Sequence, residues 1–248
     1  MARSAWRASI GVTILLLLAA CNAQTNGTAS STALPRNEVY AAIGASETFG
    51  IGAADRYRQS WPQVFYKNAL PASTIFYNFG IPGATTAEAL KEEVPAAVGV
   101  HPTVVTVWLN VNDLIRGVTS TTYEAQFRQL VHTLRRGGQT RVLVANMPDL
   151  RQLPAYKSCL PNAIDTGTTC PIPSGLLPSP GALGNAIGAY NIVISQVARQ
   201  EGATVVDLFS RDAVIAQHPD WFSSDGFHPN SQGYAIIAHA FEDAYRHG

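Results

Sequence analysis

Residues 103–109 read TVVTVWL, and every position of that run is apolar or β-branched. A strand with no polar face must be covered on both sides, as happens at the centre of a parallel sheet with helices above and below. Four further runs read as strands: 39–45 (VYAAIGA), 74–79 (TIFYNF), 141–145 (RVLVA) and 203–209 (ATVVDLF). Stretches of helical period separate them. Residues 59–70 carry Trp61, Val64 and Phe65 on one face. A helix opens at Thr85, with Glu88 three residues on as a capping box, and is expected to break or end near Pro95. Another starts near Thr121, carries the stripe Tyr123, Phe127, Leu130, Val131 and Leu134, and stops at Gly137. Residues 183–199 and 231–245 complete the set. Strands alternating with helices predict an α/β fold of three layers, α/β/α, around a doubly wound five-stranded parallel sheet with right-handed crossovers.

The first 21 residues are of another kind. Arg3 and Arg7 precede an apolar stretch centred on Leu15, Leu16, Leu17 and Leu18. The stretch is short of the about 20 residues a membrane span needs and has the pattern of an export signal. Its end, Leu18, Ala19, Ala20 and Cys21, resembles a bacterial lipobox, which implies lipidation at Cys21 and an exported protein anchored at the cell envelope, on its periplasmic or surface side. Residues 22–36 are small and polar and read as a flexible tether. Residues 37–248 then form one domain, expected to act as a monomer. Lys+Arg and Asp+Glu balance at 17 each, so no basic field exists for nucleic acid.

Residues 150–180 break the rhythm with Pro, Gly, Ser and Thr, and loops of such length are functional or disordered. They hold Cys159 and Cys170, the two cysteines left once Cys21 is lipidated. An exported chain can oxidise them, so a disulfide is expected to staple the loop and contribute about 2–3 kcal/mol. Because the loop leaves a sheet strand, it is expected to line the pocket and to set specificity.

Residues with chemistry fall just after strands. Gly44, Ala45 and Ser46 end the first strand abruptly and leave a hydroxyl at its C-terminal end, where ligands of open α/β sheets bind. Gly83 follows the second strand and Asn112 the third. After the fifth come Asp225 and His228, three apart in a loop, a spacing that lets the carboxylate accept from imidazole Nδ1–H and leave Nε2 as a base. A serine hydroxyl is a poor nucleophile until such a base takes its proton. His101, His132, His218, His239 and His247 read as ordinary surface histidines. No His-x-x-x-His pair, cysteine cluster or phosphate-binding glycine loop stands out, so neither a metal nor a cofactor is expected.

The set resembles the SGNH, or GDSL-type, serine hydrolase superfamily, whose four blocks are matched between residues 39 and 234. The resemblance implies a flavodoxin-like hydrolase fold and a serine esterase working on carboxylic esters. It implies Ser46 as nucleophile, His228 as general base and Asp225 as the group orienting it. The Ser46 N–H, the Gly83 N–H and the Asn112 amide would form an oxyanion hole. Two departures stand out. Ala45 replaces the aspartate of the first block, which would loosen support around the nucleophile, and Asn110 replaces a glycine of the third, which would reshape the pocket. The alternatives are a non-catalytic surface lipoprotein binding glycan or lipid, and an acyltransferase using the same acyl-enzyme. Short acyl esters, lysophospholipids, thioesters and acetylated glycans all fit as substrates. A neutral base implies activity that rises with pH through about 6–7.

Overall fold

The run at 103–109 forms strand β3 (Val104–Trp108), with all of its residues buried. It pairs in parallel with β1 (Val39–Gly44) on one side and β4 (Arg141–Ala145) on the other. β2 (Ile75–Asn78) adds outside β1, and β5 (Thr204–Val206) outside β4, giving the all-parallel order β2-β1-β3-β4-β5. This computed structural model describes residues 37–161, 163, 169–170, 176–211 and 217–248. The export signal, Cys21 and the tether lie outside the described residues.

The helices in chain order are α1 (Ser46–Phe49), α2 (Arg56–Gln59), α3 (Trp61–Ala69), α4 (Thr86–Lys91), α5 (Glu93–Gly99), α6 (Val111–Ile115), α7 (Ser120–Arg135), α8 (Pro154–Lys157), α9 (Pro180–Glu201) and α10 (Ser231–His247). The two-residue period of the strands sorts side chains into two cores. Ala41, Ile43, Val105, Val107, Val142 and Val144 meet α4, α5, α7 and α9. Tyr40, Ala42, Val104, Leu143 and Ala145 meet α3 and α10, where Trp61 stacks on Phe241. The stripe Tyr123, Phe127, Leu130, Val131 and Leu134 is fully buried, each such side chain worth about 1.5–3 kcal/mol of transfer free energy.

Three local departures have physical causes. The break expected near Pro95 falls at Glu92, and Pro95 sits in the first turn of α5, where its missing N–H costs nothing. β5 stops at Val206, short of the expected 209. Asn146 Oδ1 accepts from the Leu208 and Phe209 N–H groups at 2.7 and 2.9 Å, and Asp207 Oδ1 accepts from Ser210 N–H at 3.0 Å, so side chains replace the ladder and turn the chain away. The 150–180 stretch begins with structure of its own, a 3-10 turn at Leu150–Gln152 followed by α8. Cys159 and Cys170 are joined in a disulfide.

Candidate active site

β1 ends at Gly44, and Ser46 opens α1 two residues later. A Cβ on Gly44 would lie 2.0 Å from Thr48 Oγ1 and 2.8 Å from the Trp108 carbonyl oxygen, so the corner admits only glycine. The Gly44 carbonyl accepts from Ile81 N–H at 2.9 Å, which ties the corner to the turn carrying Gly83. Ser46 is buried, and its Oγ donates to Glu47 Oε2 at 3.1 Å. Beneath the corner, the buried Glu93 of α5 accepts from Gly44 N–H through Oε2 at 2.8 Å. Burial pushes its carboxyl up to about 8 against the pull of that bond.

Asp225 and His228 stand in the turn before α10. Asp225 Oδ2 bonds His228 Nδ1 at 2.6 Å, while Oδ1 accepts from Phe227 N–H, His228 N–H and Ser223 Oγ at 2.8, 2.9 and 2.8 Å. Partial burial favours the neutral acid, but these bonds outweigh it and hold the carboxyl down to about 2. In the neutral imidazole an anionic Asp225 on Nδ1 favours the tautomer with its proton there, which leaves Nε2 as the acceptor. The turn is pressed onto the loop that follows α1. A Cβ on Gly52 would meet the Pro229 carbonyl oxygen at 2.3 Å and His228 Cβ at 3.2 Å, and Ile51 N–H binds the Ser46 carbonyl at 3.0 Å. The Asp225–His228 turn thus packs, at Gly52, on the loop that follows Ser46. The acceptor of the Ser46 hydroxyl among the described residues is Glu47, not His228.

The second and third blocks are stitched together. Gly83 has φ +81°, a conformation that favours glycine, and its carbonyl accepts from Arg116 Nη2 at 2.7 Å. Asn112 donates one amide hydrogen to the Ala84 carbonyl at 3.0 Å. The adjacent Asp113 accepts from Thr86 N–H and Oγ1 at 3.0 and 3.1 Å, and its burial raises its carboxyl to about 6. Asn110 does not hang free in the pocket. Its Nδ2 crosses to the Ala145 carbonyl at 3.2 Å, and it shares a small recess with Ala45, Glu47 and Asn112.

A cleft open to solvent lies beside this edge. Its walls are mainly apolar, among them Trp108, Leu150, Leu153, Trp221, Phe227 and Ile237. Glu47, Trp108 and Val111 border both the cleft and the recess that holds Asn112, so the two are contiguous. The start of the 150–180 stretch does line the cleft, through Leu150, Gln152 and Leu153. The same segment supports the turn that carries Asp225 and His228, since Ala155 N–H donates to the Gly226 carbonyl at 3.0 Å. Of the other histidines, the exposed His132 and His239 pair with Glu201 and the buried Glu242, and His218 stacks on Trp221. Among the described residues no group of three or more side chains is arranged to hold a metal ion. No helix among them is long and apolar enough to cross a membrane.

Fold and edge define the class first: an α/β protein of flavodoxin-like strand order, with its candidate site at the C-terminal ends of parallel strands. The family is narrower. The chain belongs to the GDSL-like lipase/acylhydrolase family, whose model matches residues 42–236, and it is a carboxylic ester hydrolase of that family. Solved structures agree on the fold. The lipase/acylhydrolase from Enterococcus faecalis is 18% identical, with 83% of this chain and 94% of that one covered and a TM-score of 0.60. The psychrotrophic esterase EstA from Pseudoalteromonas sp. is 16% identical over 85% and 97% of the two chains, TM-score 0.60. A variant of Axe2, an acetyl-xylooligosaccharide esterase from Geobacillus, is 19% identical over 84% and 94%, TM-score 0.59. A comparison by sequence with curated proteins finds no match.

Proposed function

We propose that this protein is a serine esterase that passes its substrate through an acyl-enzyme on Ser46. The supporting observation is the 2.6 Å Asp225–His228 pair pressed onto the loop that leaves Ser46. His228 Nε2 takes the Ser46 Oγ proton as Oγ bonds the ester carbonyl carbon, and the carbonyl oxygen gains the negative charge. The Ser46 and Gly83 N–H groups and the second amide hydrogen of Asn112 receive that oxyanion, each such donor worth about 10²–10³ in rate. Collapse breaks the bond to the alcohol oxygen, which leaves with the proton from Nε2. Water, deprotonated by the same nitrogen, then releases the acid. Asp225 stays ionised and steadies the imidazolium.

The apolar cleft beside the recess suits an acyl chain, so acyl esters of short to medium length are the favoured substrates. A fluorophosphonate probe labels the wild type and not Ser46→Ala, and a chain-length series of chromogenic esters gives turnover that Ser46→Ala loses. A wild type that binds neither probe nor ester refutes the reading. The enzyme is further proposed to be exported and held at the cell envelope by a lipid on Cys21. Detergent-phase partitioning that persists in Cys21→Ser rejects this anchor.

A further inference from the structure

The family aspartate that would brace the first block is missing, because Ala45 stands in its place. A methyl group accepts no hydrogen bond, so the brace must come from elsewhere or the corner must be loose. Glu93, 47 residues beyond Ser46 in the chain, ends its side chain under that corner, 1% exposed, with Oε2 2.8 Å from the Gly44 nitrogen. Its other oxygen, Oε1, is buried without a hydrogen-bond partner among the described residues. Keeping a carboxyl group in a protein core with one atom unsatisfied is costly, and such groups persist where they hold something in place.

What Glu93 holds is specific. Gly44 is the last residue of β1, two residues before the hydroxyl, and its N–H is the donor to Glu93 while its carbonyl accepts from Ile81 N–H at 2.9 Å. Both backbone groups of one residue are therefore spoken for, one by α5 and one by the turn that leads to Gly83. Ser46 N–H and Gly83 N–H are two of the three proposed oxyanion donors, so the angle of this corner sets how they converge. A buried donor left without its acceptor would seek another partner, and the corner would rotate.

We propose that Glu93 is a positioning residue for catalysis, replacing from α5 the support that Ala45 cannot give and acting on Ser46 through the Gly44 amide. The inference rests on the serine-esterase reading of Ser46. It touches no reacting atom, so its removal lowers kcat and leaves substrate affinity nearly unchanged.

The test compares Glu93→Gln, which keeps an acceptor of the same length, with Glu93→Met, which keeps the length and removes the acceptor. Each is assayed for kcat and KM on a short chromogenic ester, and by NMR hydrogen exchange at the Gly44 amide. Glu93→Gln is expected to retain kcat within about threefold, while Glu93→Met loses about 10–100-fold in kcat with KM held within about threefold, as for a small misplacement of reacting groups. Gly44 exchange quickens at least about tenfold in Glu93→Met alone, as expected when a protecting hydrogen bond is lost. A folded Glu93→Met with kcat within about threefold of wild type overturns the proposal. If that variant does not fold, Glu93→Asp, one methylene short of Gly44, takes its place under the same criterion. Should the wild type show no turnover, the esterase reading fails by itself, and unchanged Gly44 protection in Glu93→Met is what would overturn the positioning role.

Discussion

Replacing Glu93 by glutamine should remove a pH dependence of stability that the wild type carries. In the folded chain burial raises this carboxyl from 4.5 to about 8, a shift the Gly44 N–H offsets only in part and the nearby Glu92 reinforces. The unfolded chain has no such burial, so between pH 4.5 and about 8 it releases the proton while the folded chain keeps it. Stability must then fall as pH rises through that window, by up to about 1.4 kcal/mol per pH unit. The full stabilisation is present below the unfolded pKa and is gone above the folded one. Integrated over the window, the limit is about 5 kcal/mol, and relaxation around the charge reduces this to about 2–3 kcal/mol.

Glutamine presents the same shape and never ionises, so its difference from wild type isolates Glu93. Asp113, raised to about 6, slopes in the same direction but is common to both proteins and cancels. Asp225, held at about 2, acts only below pH 4 and with the opposite sign, since its contribution is lost as pH falls. Urea unfolding followed by the fluorescence of Trp61, Trp108 and Trp221 at intervals between pH 5 and 8.5 reads the difference. The two proteins should be of similar stability at pH 5, with Glu93→Gln ahead by about 2–3 kcal/mol at pH 8.5. Curves that stay parallel within about 0.5 kcal/mol would falsify the buried, singly bonded state of Glu93.

Asp225→Asn replaces the acceptor on His228 Nδ1 with a group that can donate, and kcat on a chromogenic ester should drop by about 10²-fold or more, with an unchanged Tm separating chemistry from folding. Replacing Cys159 and Cys170 together by alanine opens a loop with a sequence separation of 11 and should cost about 2–3 kcal/mol in chemical denaturation. The same double variant should shift chain-length preference, because Leu150 and Leu153 line the cleft; an unaltered preference speaks against the loop as a specificity element. Glu47→Leu removes the resting acceptor of the Ser46 hydroxyl and should raise kcat/KM severalfold, by about the net worth of one hydrogen bond. A loss of about tenfold or more would instead make Glu47 part of the chemistry.

The fold was legible because its signals were redundant. The run ending at Trp108 is apolar on both faces, and the stripe from Tyr123 to Leu134 marks its helix by period alone. β5 was overextended because Leu208 and Phe209 look like strand, whereas Asn146 and Asp207 end it through side-chain bonds that arise only once β4 lies alongside. The candidate site was legible where the chain order places a residue directly after a strand, as with Ser46, Gly83 and Asn112, or pairs two residues locally, as with Asp225 and His228. Glu93 was not. Next to Glu92 on a short helix it reads as half of a solvated acidic pair, and nothing local says that one of the two turns inward beneath Gly44. Glu47 was hidden for the same reason: a carboxylate beside a serine is ordinary until the serine oxygen is seen to rest on it.

That resting contact bears on how the site works. Oγ of Ser46 is 3.1 Å from Glu47 Oε2, a long bond for a hydroxyl on a carboxylate. Its net worth is of the order of 1–1.5 kcal/mol, less than one donor of an oxyanion hole supplies in the transition state. On the proposed mechanism, turning the hydroxyl from Glu47 toward Nε2 therefore costs little against what the transition state returns. On that mechanism the backbone must not turn with it, since the Ser46 N–H is one of the proposed oxyanion donors. A fixed corner with a movable hydroxyl is what Gly44 provides when its N–H is held by Glu93 and its carbonyl by Ile81. On the proposed mechanism Ala45 is compatible with catalysis, because rigidity is then needed at the amide and not at the side chain beside it.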